Sequence, residues 1–197
     1  MVACESNHAT AGGDASCRGR PDTCRGAGGL PGRAGVKKIL FVCSGNTCRS
    51  PLAEAVAQKI LPARLDFEVE IASAGTSALE GGPASRNSLE VAGRHGLDLS
   101  GHRSRTLTRD LVHEADLIVT MSVRHRETVG EIDPDSLEST FLLTNFSDRH
   151  DGDIPDPIGS DLALYERTYL VICECIESMA TKLPAFDGWK KTGKRGT

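Results

Sequence analysis

Residues 42–51, VCSGNTCRSP, put a thiol (Cys43) six residues ahead of a guanidinium (Arg49), with Ser44, Gly45, Asn46, Thr47 and Cys48 between them. These residue types at this spacing could hold a phosphate. Small and polar residues let the backbone curl so that the amides of Ser44 to Cys48 converge on one anion, and Gly45 permits a tight, partly left-handed turn. A helix starting here would add free N–H groups and the positive end of its dipole. Arg49 offers a planar fork for two phosphate oxygens, which a lysine could not match. The field that binds phosphate also stabilises a thiolate, so Cys43 is the expected nucleophile, with Ser50 able to donate a hydrogen bond to it. Transfer through sulfur further needs a proton donor for the leaving group. The acidic run 151–161, DGDIPDPIGSD, supplies Asp156, stiffened between two prolines, with Asp153 as the rival acid.

A C-x5-R pair alone is a weak signal, since a chain with this cysteine and arginine content would show one by chance about half the time. Only Cys43 has one. Its context gives it weight, because a buried strand precedes it and a helical pattern follows. The run 36–42 reads as that strand, and residues 50–61 as the helix, with Pro51 in a first turn where its missing N–H costs nothing. Phe67, Val69 and Ile71 alternate as a second strand. Residues 85–95, 108–115 and 122–130 read as helices, and 116–121 and 140–143 as strands. Tyr165, Tyr169, Ile172, Ile176, Met179 and Leu183 recur at three- and four-residue steps, the buried face of a last helix. This alternation predicts an α/β fold, flavodoxin-like and doubly wound, with a four-stranded parallel sheet and helices on both faces. Such folds bind ligands beyond the carboxyl ends of the strands where the winding reverses, and the loop after the first strand lies there.

The 197 residues suit one domain with a tail, and 39% hydrophobic with 25% charged content suits a soluble globule. Residues 1–35 hold eight of the 21 glycines and no apolar periodicity, and are expected to be a disordered Gly/Arg-rich leader. The phosphate-binding domain is expected over 36–185 and a flexible basic tail over 186–197. A net charge of −4 gives no electrostatic case for nucleic acid. No apolar run approaches a membrane span and no signal-peptide core is present, so a cytoplasmic location is expected. Seven cysteines lack disulfide or metal spacing, and neither metal nor cofactor is expected.

CSGNTCRSP after a first strand, with DPIG late in the chain, resembles the low-molecular-weight protein-tyrosine phosphatases from about Ile39 to Leu183. The resemblance implies hydrolysis of a phosphorylated protein or peptide. It implies Cys43 as nucleophile, Arg49 as phosphate ligand, Asp156 as general acid, Ser50 as support for the thiolate, Asn46 as keeper of the loop's shape and His102 as a brace. It also implies a reversible Cys43–Cys48 disulfide. At two places the chain departs from the phosphotyrosine pattern: Thr47 replaces a bulky aliphatic residue, and Ile158-Gly159 replaces aromatics. Both look more like the bacterial protein-arginine phosphatase branch, so phosphotyrosine and phosphoarginine both stay open. An arsenate reductase of the same fold is the alternative enzyme, but residues 85–115, where its relay should lie, contain no cysteine. A non-catalytic phosphate- or FMN-binding module is the other alternative, opposed by Cys43 and Asp156.

Overall fold

The computed structural model describes residues 36–189; the expected leader and residues 190–197 of the expected tail lie outside the described residues. Four parallel strands, β1 (Lys37–Cys43), β2 (Val69–Gly75), β3 (Leu117–Thr120) and β4 (Thr140–Leu142), form one sheet in the order β2-β1-β3-β4. The flavodoxin-like, doubly wound α/β fold is thus present. Alternation along β1 assigns its two faces. Ile39, Phe41 and Cys43 pack in a core with α1 (Arg49–Ile60) and α5 (Leu162–Lys182), while Leu40 and Val42 pack with α3 (Arg109–Glu114) and α4 (Val123–Ile132). α2 (Arg86–Arg94) lies against α5. A central strand covered on both sides is why 36–42 reads as a continuous apolar run rather than an alternating one.

Winding runs from β1 out to β2, then back across β1 to β3. The reversal therefore falls between β1 and β3, and their carboxyl ends meet there: Val42 is in register with Thr120, and Met121 N donates to Val42 O at 2.9 Å. The segment after β4 is drawn to the same place, because Ile154 N donates to Met121 O at 2.8 Å. Cys43 and the acidic loop thus arrive together.

Two expectations shift. Alternation placed a strand over 67–71, yet β2 runs from Val69 to Gly75, because parallel pairing with β1 continues to Cys43–Gly75. The boundary at 185 also moves outward. The Phe186 ring sits 5.1 Å from Phe141 and 5.2 Å from Phe146, and Trp189 meets Phe67 edge-on at 5.7 Å. Gly188 fits beneath them, where a Cβ would lie 2.5 Å from the Phe186 ring. Aromatic packing of this kind is not visible to a periodicity argument. Phe186→Ala is expected to lower unfolding free energy by about 1–3 kcal/mol, below a full core truncation because the ring is half-buried. Denaturant titration reads this; a variant as stable as the parent would restore the boundary at 185.

Candidate active site

Among the described residues, α2, α3, α4 and α5 begin on Ser85, Thr108, Ser122 and Asp161, whose side chains accept from the first-turn amides. α1 begins on Cys48 and has no side-chain cap. Its free amides continue those of the loop, and none of the amides from Ser44 to Cys48 donates to another part of the described chain. Shape is held instead through the carbonyls, which point outward. Thr76 N donates to Cys43 O and Ser77 N to Ser44 O, each at 2.9 Å. Ser85 N donates to Thr47 O at 2.8 Å, and His102 Nε2 to Asn46 O at 2.7 Å.

Asn46 is the hub. It is fully buried, and its φ of 52° is the one positive value at a non-glycine residue among those described. Its amide nitrogen donates to Ser50 Oγ (2.9 Å) and Ser73 Oγ (2.8 Å), and its Oδ1 accepts from Arg105 N (2.9 Å). Ser73 Oγ in turn donates to Glu54 Oε2. Since Ser50 Oγ accepts from Asn46, its own proton goes to Cys43 Sγ, 2.9 Å away. The donor that supports a thiolate is thereby fixed in direction. Gly75 lets the loop close, because a Cβ there would stand 2.5 Å from Ser44 O and 2.9 Å from Asn46 N.

Arg49 is buried, and its guanidinium spans the gap to the acidic loop. Nη2 pairs with Asp156 Oδ2 at 2.5 Å, Nη1 donates to Ile154 O at 3.3 Å, and Nε is buried with no partner. The two acids separate cleanly. Asp156 sits at Arg49 and is 40% exposed, whereas Asp153 accepts from Val123 N at the start of α4 (2.8 Å). Thr47 is half-buried with Oγ1 3.6 Å from Cys48 Sγ, and Ile158 is 63% exposed beside Gly159, whose φ is 75°. Cys43 and Cys48 are both free thiols.

Sequence reasoning brought Cys43, Arg49, Ser50, Asn46, His102 and Asp156 together, and the structure gathers all six. It missed a second ring of support. Tyr165 and Ser85 close a triangle with Cys48, at 3.3 Å from Cys48 Sγ to Tyr165 Oη and 3.4 Å from Cys48 Sγ to Ser85 Oγ. Burial, then the hydrogen bond to Cys48, raises the Tyr165 phenol above its usual range. Tyr165 had been placed only on a packing stripe, which gives no hint of where its hydroxyl ends. His125 was missed altogether. Its Nε2 lies 2.9 Å from Ser44 Oγ, and burial followed by the charge of Arg49 pushes its pKa down to about 4. A histidine in the first turn after a strand at the winding reversal was the available signal. No cluster of metal-ligating side chains occurs among the described residues.

The family model for low molecular weight phosphotyrosine protein phosphatase matches residues 38–187. The probable low molecular weight protein-tyrosine-phosphatase EpsP of Ralstonia nicotianae is 35% identical over 150 residues, 76% of this chain and 98% of that one. The protein-arginine-phosphatase of Geobacillus stearothermophilus is 37% identical over 147 residues, covering 74% and 95%. Among solved structures, the YwlE arginine phosphatase from the same organism superposes with a TM-score of 0.69 at 35% identity, covering 76% and 94%. The tyrosine phosphatase Wzb from Escherichia coli K30, in complex with sulphate, gives 0.68 at 32%, covering 75% and 99%. A YwlE arginine phosphatase mutant with a phosphorylated active-site serine in place of cysteine gives 0.68 at 30%, covering 74% and 95%.

Gly75→Ala tests the loop geometry without removing a polar side chain. The methyl must displace backbone on both sides, so affinity for inorganic phosphate is expected to fall by about 10- to 100-fold, the scale of a misplacement near 1 Å. Titration calorimetry measures it; unchanged affinity would mean that the loop does not need this close approach.

Proposed function

The chain belongs to the low-molecular-weight phosphotyrosine protein phosphatase family and is a phosphoprotein phosphatase; we propose that its chemistry runs through Cys43, Arg49 and Asp156. The carrying observation is the Ser50 hydroxyl directed onto Cys43 Sγ at the foot of a loop whose amides have no partner in the described chain. The amides of Ser44 to Cys48 and the Arg49 fork bind the three non-bridging oxygens, and the unpartnered Nε of Arg49 supports that use. Cys43 thiolate attacks phosphorus. The bond to the leaving atom breaks as Asp156 gives that atom its proton, and phosphate is left on sulfur. Asp156, now a carboxylate, takes a proton from water as the oxygen attacks phosphorus; the S–P bond breaks and thiolate and phosphate are restored. The neighbour with a phosphorylated serine in place of cysteine supports a covalent intermediate at this position.

The reductase alternative loses support from the placement of the other two thiols among the described residues. Cys175 is buried on the core face of α5, and Cys173 packs beside Tyr169 on the same helix. The substrate is a phosphorylated protein side chain. A location in the cytoplasm fits that substrate, and no helix among the described residues is long and apolar enough to cross a membrane.

Cys43→Ser is expected to bind phosphopeptide while losing turnover by orders of magnitude. Asp156→Asn should slow a poor leaving group by about 10²–10⁴ and spare a good one such as p-nitrophenolate, since only the former needs the proton. Steady-state kinetics on the two ester types decide it; equal losses would remove Asp156 from the role and bring Asp153 back.

Thr47 is the residue on which substrate choice is proposed to turn. Its hydroxyl suits the N–H groups of a guanidinium phosphate, whereas a branched aliphatic side chain can only pack against a ring. Thr47→Ile should move the ratio of kcat/KM toward phosphotyrosine and away from phosphoarginine peptides by about 10- to 200-fold, the usual range for a pocket change of this size. A constant ratio would take the choice of substrate away from Thr47.

A further inference from the structure

His125 has no part in the chemistry above, yet it is 4% exposed and joined to the loop. We propose that His125 is a positioning residue that donates to Ser44 Oγ and so directs the Ser44 hydroxyl proton onto the bound phosphoryl group. The proposal rests on the phosphatase reading of the loop and adds to it a side-chain donor beyond the amides.

Hydrogen bookkeeping carries the argument. Ser122 Oγ accepts from His125 N at 3.3 Å, as the cap of α4, and lies 2.7 Å from His125 Nδ1. Ser122 is itself buried, so its hydroxyl proton needs an acceptor, and Nδ1 is the one in reach. A neutral ring that accepts at Nδ1 carries its hydrogen on Nε2. That hydrogen points at Ser44 Oγ, 2.9 Å away. Arg49 Nη2 donates to the same oxygen at 3.4 Å. With both lone-pair directions of Ser44 Oγ filled, its proton has no acceptor among the described residues and is left for an anion held beside Arg49. The opposite tautomer would strand the Ser122 proton in a buried site.

Neutrality of the ring is built in. Burial and Arg49 act against its protonation, with Arg124 adding to them, while Asp153 and Asp156 oppose; the balance keeps it uncharged above about pH 4. A second hydrogen on Nδ1 would break the bond from Ser122 and undo the relay. His125 therefore does not titrate as an acid or base in the cycle; it holds one direction of donation fixed.

The test is a double-mutant cycle on full-length protein with a phosphate monoester and a phosphopeptide as probes, reading kcat, KM and thermal stability. Ser44→Ala and His125→Ala are each expected to lower kcat about 10- to 100-fold, the scale of one charge-assisted hydrogen bond, and the double variant to be no worse than the weaker single. His125→Gln, whose side-chain nitrogen can stand near Nε2, and Ser44→Thr, which keeps the hydroxyl, should recover most of the loss. Additive losses, or no recovery in His125→Gln, would overturn the relay. If His125→Ala does not fold, Ser44→Ala against Ser44→Thr still decides: equal activity in both overturns it. Wild-type protein inactive on every phosphate ester would sink the phosphatase reading itself, whereas an active wild type with a fully active Ser44→Ala sinks only this inference.

Discussion

A loop whose amides have no partner in the described chain cannot hold its own shape through them, and the remainder of this site follows from that constraint. Backbone N–H groups left unpaired in a compact protein are costly unless something else fixes the chain while they wait. Here the carbonyls take that task. Those of Cys43, Ser44, Asn46 and Thr47 are tied to Thr76, Ser77, His102 and Ser85, so that the loop is gripped from outside by its oxygens while its nitrogens face inward. Asn46 does from within what the carbonyls do from without. Its left-handed backbone turns the chain, and its side chain is saturated by Ser50, Ser73 and Arg105. Asparagine suits both parts, since it tolerates positive φ and can donate and accept together.

The sheet makes this possible at low cost in order. β1 is central and buried on both faces, so Cys43 leaves a rigid strand and cannot wander. Parallel winding brings three other segments to the same end: the turn after β2 with its carbonyl partners, the start of α4 with His125, and the loop with Asp156. Each reaches the site by a different crossover, which is why residues 43 and 156 meet although most of the domain lies between them. Preorganisation of this kind removes reorganisation from the reaction step, and positioning with electrostatic stabilisation is the main source of catalysis in phosphoryl transfer.

Much of this was legible in the sequence because the loop is contiguous. Residue type, spacing and position after an apolar run name Cys43, Arg49, Ser50 and the amides without knowledge of anything distant. The choice between Asp156 and Asp153 was less legible. Both lie in one acidic run, and only the structure reveals that Asp153 is bound to the first turn of α4. His125, Tyr165, Ser85 and Arg105 were illegible for a plainer reason. Their contributions depend on where a side-chain atom ends relative to a loop 37 to 117 residues away, and no local pattern encodes that. The packing of Phe186 and Trp189 escaped likewise, since an aromatic cluster closed by the chain end has no period.

In the proposed cycle, the contact between Arg49 and Asp156 bears on how product leaves. Arg49 Nη2 already has a carboxylate at 2.5 Å in the protein by itself. Any oxyanion that takes this nitrogen must first evict a resident counter-ion, and the same counter-ion stands ready to return. Inorganic phosphate, which lacks the contacts a peptide adds, would have only its own oxygens with which to hold Arg49 against that carboxylate. On the proposed chemistry, the return of Asp156 to Arg49 would help to displace phosphate at the end of each turnover, so that a receptive loop need not become a trap for its own product.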